Sequence, residues 1–143
     1  MPLHLVKLCV GIDSVGELIA YRAALGHAKR KPDSRHDHVT RMIPKRAEEL
    51  LAGGSLYWVI AGQLCARQRL VAIERFTDDE GVGRCKLWMD GEVVKVVPRP
   101  YRAFQGWRYL QPDDAPPDLS QAGEGLATMP DAMRADLGAL GLL

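Results

Sequence analysis

The sequence predicts an α+β fold, a small and strongly curved mixed sheet or barrel with peripheral helices at its ends. Three observations predict it. First, residues 53–70 hold two runs of strand-forming residues around a turn at Ala61-Gly62, and Gly53-Gly54 breaks the chain before them. Val, Ile, Tyr and Trp suit a pleated, half-buried surface. Second, both alternating sets of the first run are largely apolar: Leu56, Trp58 and Ile60 on one side, Ser55, Tyr57 and Val59 on the other. Such a strand is expected to be buried on both faces and central to a sheet. Third, the element order reads strand, helix, strand, helix and then strands only, with no internal repeat. That order suggests α+β.

Taken in order, residues 3–10 read as a strand that Gly11 ends. Asp13 or Ser14 can cap a helix over roughly 14–25, with Glu17 placed for a capping box on Ser14. Val15, Leu18, Ile19 and Ala23 form its apolar stripe. Residues 27–36 are basic and interrupted by Pro32, which predicts an exposed loop. His38 to Met42 is a short strand, and Pro44 opens a helix over 45–51 that Gly53-Gly54 terminates. The second central strand runs from 63 towards Glu74 or Arg75, and Asp78 to Gly81 is a turn. Strands are expected over 83–89 and 92–97, joined by Asp90-Gly91 as a hairpin, with Pro98 closing the second. Residues 111–129 form an extended acidic segment rich in proline, and a last helix is expected over 130–140.

At 143 residues the chain reads as a single domain, 1–143. A domain of this size buries about 68–70% of its unfolded surface and needs no staples. Hydrophobic content of 47% and charged content of 26% are those of an ordinary globular protein. No apolar run approaches the roughly 18 residues of a membrane span. Residues 1–4 lack the basic and apolar regions of a signal peptide, so a cytoplasmic location is expected. Cys9, Cys65 and Cys85 are odd in number, widely spaced and set in apolar runs, the pattern of buried free thiols.

Charge is distributed unevenly although the net charge is only +1. Lys29, Arg30, Lys31, Arg35, Arg41, Lys45 and Arg46 face only Asp33 and Asp37 within 27–46. Residues 111–143 reverse this, with six acids against Arg134 alone. Such asymmetry marks a polyanion-binding face or two segments that attract each other.

Two constellations carry candidate chemistry. Arg67, Gln68 and Arg69 sit on the second central strand beside Tyr57 and Trp58, with Arg67 and Arg69 on one face. Arginine forks onto phosphate and stacks on rings, and glutamine can read a base edge. The same arginines can instead pair with Glu48, Glu74 or the acidic segment. Residues 98–110 interleave Tyr101, Phe104, Trp107 and Tyr109 with Arg99, Arg102 and Arg108. Rings that stack bases beside cations that track phosphates suit single strands, and at least one ring is expected in the core. His36-Asp37-His38 lacks a matched third metal ligand, and no phosphate-binding glycine loop is present. No metal, cofactor or catalytic residue is therefore predicted.

The segments His38-Val-Thr-Arg41-Met, Pro44-Lys-Arg46, Gly53-Gly-Ser-Leu-Tyr-Trp-Val-Ile60, Ala66-Arg-Gln-Arg69, Pro98-Arg-Pro100 and Phe104-Gln-Gly-Trp-Arg-Tyr109 resemble an alphaproteobacterial family known as a domain of unknown function. The resemblance covers nearly the whole chain. It implies an alphaproteobacterial source and a cytoplasmic protein, and carries over no activity. Residues 48–54, a short helix running into Gly-Gly before the Tyr57-Trp58 strand, are also similar to PUA-like domains of the ASCH and EVE type. That likeness implies a PUA-like β-barrel and an association with RNA or modified bases.

The reading that joins these features is an RNA or single-stranded nucleic-acid binding domain. Arg67, Gln68 and Arg69 would contact phosphate or a base edge, Tyr57 or Trp107 would stack, and Arg41, Lys45, Arg46, Arg102 and Arg108 would supply the electrostatic footprint. Two other classes stay open. One is an enzyme acting on a nucleoside or another small anion, with a carboxylate such as Glu74 beside Arg67. The other is an interaction module whose acidic segment docks a partner protein.

Overall fold

The computed structural model of the chain describes residues 2–9, 11–21, 36–102, 104–121, 129–130, 133 and 137. Seven strands form one sheet: β1 (His4–Leu8), β2 (His36–Thr40), β3 (Ser55–Ile60), β4 (Gln63–Thr77), β5 (Gly83–Met89), β6 (Val94–Pro100) and β7 (Trp107–Leu110). Their order is β2-β5-β4-β3-β1-β7, and β6 also pairs with β4. The sheet is mixed: β1 runs parallel to β3, with Leu5 opposite Leu56, and antiparallel to β7, with Leu5 opposite Tyr109. Two short helices, α1 (15–21) and α2 (Ala47–Leu51), accompany it.

All six residues of β3 are buried, as its doubly apolar alternation predicts. Leu56, Trp58 and Ile60 pack on one face with Leu5, Leu70, Leu87 and Met89. Tyr57 and Val59 pack on the other with Val6, Leu64, Val96 and Leu110. Each buried aliphatic side chain contributes about 1.5–3 kcal/mol. The helices close the first face: Leu18 of α1 and Leu50 of α2 both lie in that core. The cap expected at α1 is present. Ser14 Oγ accepts the Glu17 N–H at 3.1 Å, and the Glu17 carboxylate accepts the Asp13 N–H at 2.7 Å. After α2, the Gly54 N–H donates to the Leu50 carbonyl, and a side chain on Gly54 would collide with the carbonyls of Leu3 and Leu50.

The 15-residue β4 gives the sheet its half-barrel curl. Its first part lies between β3 and β6, and its second part pairs with β5. Register shifts at Trp58/Val59, Leu64/Ala66 and Leu70/Ala72 bend it. One expectation is corrected here. Asp90-Gly91 does not reverse the chain: β5 and β6 do not pair with each other but run one after the other along β4. The reversal is made by Asp78 to Val82, where the Asp78 N–H donates to the Val82 carbonyl at 3.0 Å. At Asp90 the side chain accepts the Glu92 N–H and the backbone N–H donates to the Arg69 carbonyl, so the dipeptide forms a kink within the ladder. Pro98 does not end β6 either, which continues to Pro100 on the flank of β4, where an edge strand tolerates proline.

Boundaries elsewhere move by a few residues. The expected strand at 38–42 is His36–Thr40, and the helix expected at 45–51 is Ala47–Leu51. Met133 and Leu137 are helical, while the rest of 131–140, the loop at 27–35 and residues 22–25 of the first helix lie outside the described residues. Among the described residues no helix is long and apolar enough to cross a membrane. The turn between β3 and β4 places Ala61 at φ 51° and Gly62 at φ 80°. Left-handed backbone costs a residue with a Cβ roughly 1–2 kcal/mol, and asparagine tolerates it better than alanine. Ala61→Asn should raise stability by about 1 kcal/mol, read as a higher urea midpoint with an unchanged slope.

Candidate functional site

The parallel pairing of β1 with β3 sets His4 beside Ser55, and the β3–β4 ladder sets Tyr57 opposite Arg67 and Ser55 opposite Arg69. These residues line a cleft of about 240 Å³ together with Gly53 and the passing segment Ala115–Asp118. Arg67 is fixed from two sides. Its Nε and Nη2 donate to the two Asp118 carboxylate oxygens, each at 2.7 Å, and its Nη1 donates to Ser55 Oγ at 3.1 Å. Asp118 is itself held by the ladder, through a bridge to Val96 and a bond from the Val97 N–H to the Pro117 carbonyl. Of the alternatives weighed for the arginine face, a salt bridge to the acidic segment is the one present for Arg67.

Electrostatics follow from that packing. The Arg67 guanidinium is held further towards its charged form by its bonds to Asp118. His4 accepts the Ser55 N–H at Nδ1 at 3.0 Å, its ring meets Tyr57 edge-on at 5.0 Å, and burial, then the charge of Arg67, hold it below the usual imidazole value. Burial pushes the Tyr57 hydroxyl above its ordinary range, against the opposing pull of Arg67.

Gln68 points to the other face and is fully buried. Its Oε1 accepts the Trp58 Nε1–H at 3.1 Å and its Nε2 donates to the Asp90 carbonyl at 2.9 Å. The amide expected to read a base edge is a core bridge. Trp107 is likewise buried, with its Nε1–H on the Met42 carbonyl at 2.8 Å, and Tyr57 is almost wholly covered, so neither offers a free ring face. Arg69 is exposed. Glu74 accepts the Trp88 Nε1–H at 3.0 Å, and the carboxylate beside Arg67 is Asp118. His38 sits edge-on to Trp58 at 5.6 Å.

Of the remaining predicted cations, Arg46 and Arg108 meet at β7, the end strand of the sheet. Arg41, Lys45, Arg46, Arg102 and Arg108 are all exposed. The Lys45 and Arg46 N–H groups both donate to the Tyr109 hydroxyl, at 3.0 and 3.2 Å. The Arg46 guanidinium lies 5.6 Å from the Tyr109 ring centre, and that of Arg108 lies 4.5 Å from the Phe104 ring centre. Arg46 also pairs with Glu49. A second cleft, of about 360 Å³, opens beside Arg46 between α2 and the end of β7, lined by Pro2, Leu3, Glu49, Ala52, Gln111 and Pro112. A family model described as a protein of unknown function (DUF1489) matches residues 5–143. The chain belongs to the DUF1489 family. No curated protein and no solved structure matches it. The DUF1489 match takes in Ser55, Tyr57, Arg67 and Asp118 of the first cleft and the five exposed cations, while His4 lies one residue before it.

Sequence reasoning missed His4, Ser55 and Asp118 as members of the site. His4 and Ser55 are brought together by a strand pairing across 51 residues, which leaves no local trace. Asp118 did carry a signal: Pro116-Pro117 before it stiffens the chain and presents a single carboxylate. None of the three cysteines is in a disulfide; Cys65 and Cys85 are buried, and burial raises the Cys85 thiol.

Two outcomes follow from these contacts. Gln68→Leu leaves the buried Trp58 N–H without its acceptor and should cost about 1–3 kcal/mol in chemical denaturation. His4 has a folded pKa below its unfolded value, so its stabilising effect is complete above about pH 6.5 and is lost as pH falls below that value. His4→Asn, which keeps an acceptor for the Ser55 N–H, should flatten the decline of stability between about pH 7.5 and 5.5 relative to the parent chain.

Proposed function

We propose that the chain is a cytoplasmic, alphaproteobacterial RNA-binding domain of PUA-like architecture that takes single-stranded RNA along the β7 edge. One observation carries the reading: Arg46 and Arg108, far apart in sequence, converge on the same short strand, Arg46 over the Tyr109 ring on one face and Arg108 over the Phe104 ring on the other. Convergence of this kind is what an electrostatic track for phosphates requires. Arg46 and Arg108 are held against rings, which orients each guanidinium before a phosphate arrives. Tyr101, Phe104 and Tyr109 are half-buried and offer ring edges beside those cations. The cleft next to Arg46 has the size at which ligand pockets begin, roughly 300 Å³, and Gln111 on its wall carries an amide able to read a base.

Fluorescence anisotropy with single-stranded RNA, single-stranded DNA and duplex DNA across a salt series tests this. Log affinity for single strands should fall with log salt by about 0.7 per phosphate contact. Replacing Arg41 and Arg108 with Ala should lower that slope by up to about 1.4 while leaving the melting temperature unchanged. Absence of binding at low salt, or an unchanged slope in the folded double variant, would overturn the reading.

A further inference from the structure

We infer that the cleft between His4, Ser55, Tyr57 and Arg67 is a second, separate site that binds a small oxyanion, a carboxylate or a phosphate. The proposal goes beyond nucleic-acid binding at β7 and rests on an inventory of hydrogen-bonding groups. Both oxygens of Asp118 are taken by Arg67 in a side-on fork. The acceptor side of His4 is taken as well, since Nδ1 receives the Ser55 N–H. A neutral imidazole with Nδ1 as acceptor carries its proton on Nε2, so that nitrogen is a donor.

Donors, by contrast, are left over. A guanidinium has five N–H groups, and Asp118 and Ser55 engage three of those on Arg67. One N–H on each terminal nitrogen remains. Ser55 Oγ accepts from Arg67, which leaves its own hydrogen to donate. The Tyr57 hydroxyl lines the cleft without a hydrogen bond to any described residue, and it stays protonated because burial raises its pKa. Donors from β1, β3 and β4 thus border one small space whose carboxylate is already paired with Arg67. A group that only accepts hydrogen bonds completes such a set, and a carboxylate or a phosphate brings several acceptor oxygens at once. At about 240 Å³ the cleft lies below the range of drug-sized pockets, which sets the ligand at the scale of a simple acid or a phosphate.

Asp118 has a positioning role in this arrangement. It fixes the plane of the guanidinium, and its own backbone is fixed by β6. The site is therefore rigid before the ligand arrives, which lowers the entropy lost on binding.

The test uses inorganic phosphate and acetate as two probes on the full chain, read by thermal shift and by NMR titration against chloride at equal ionic strength. Phosphate or acetate should raise the melting temperature of the parent chain and move the resonances of Ser55 and Tyr57; the stronger probe identifies which oxyanion the cleft takes. Tyr57→Phe removes one donor and keeps the buried ring. It should weaken the stronger probe about three- to tenfold, the loss expected for one hydrogen bond. Ser55→Ala provides a second reading if Tyr57→Phe lowers the melting temperature in chloride. No anion-specific effect on the parent chain, or equal affinity in the folded variants, would overturn the inference.

Discussion

Ser55–Ile60 is hidden from water on both faces, and this constraint governs how the rest of the chain must lie. One sheet offers one inside. A strand with apolar side chains on both sides therefore needs a second cover. On the first face the sheet curls until Leu70, Leu87 and Met89 close over Trp58, with Leu18 and Leu50 of the helices filling the open side. On the second face the cover comes from segments without a strand of their own: Tyr101, Phe104 and Ala115 pack against the cluster around Tyr57 and Val59. The acidic stretch after β7 is thus part of the wall, and Asp118 is where its charge meets the sheet.

What was legible in the sequence was local. The doubly apolar alternation of β3, the left-handed pair Ala61-Gly62 and the Ser14–Glu17 cap are each decided within a few residues, and each is present. The mixed, curved sheet followed from element order. Asp90-Gly91 misled because its geometry is decided elsewhere. The Arg69 carbonyl and the Gln68 amide both bind Asp90 from β4, which holds the dipeptide in the ladder as a kink. The aromatic residues of 98–110 misled in another way. A ring that fills the core and a ring that stacks a base obey the same composition rule, and Trp107 went to the core because its N–H found the Met42 carbonyl. The acidic segment was among the partners open to Arg67, but the choice of Asp118 within it depended on a contact across 51 residues.

Gln68 shows why a polar residue is kept in such a core. Its two amide ends join the Trp58 indole on β3 to the Asp90 carbonyl at the kink between β5 and β6. A leucine there would gain apolar contact but would remove the side-chain tie between β3, β4 and the kink, leaving the backbone ladder to hold them. Buried polar networks that are fully satisfied favour one arrangement over its neighbours by penalising slips. Here the slip that is penalised would carry Arg67 away from Asp118 and dismantle the cleft.

The place of β1 in the sheet has a consequence for the order of events during synthesis. Leu5 pairs with Leu56 on one side and with Tyr109 on the other. Once made, β1 must therefore wait for about 50 further residues to gain its first neighbour and about 100 to gain its second. The pairings of β4 with β5 and β6 span far less of the chain. Until β3 emerges, β1 has two bare edges, the configuration most open to pairing with the wrong chain. Lys7 in its middle is the kind of residue that discourages such pairing, and it is only half-buried when the sheet is complete. The pace at which the ribosome reaches residue 56 thus sets how long the nascent protein is vulnerable.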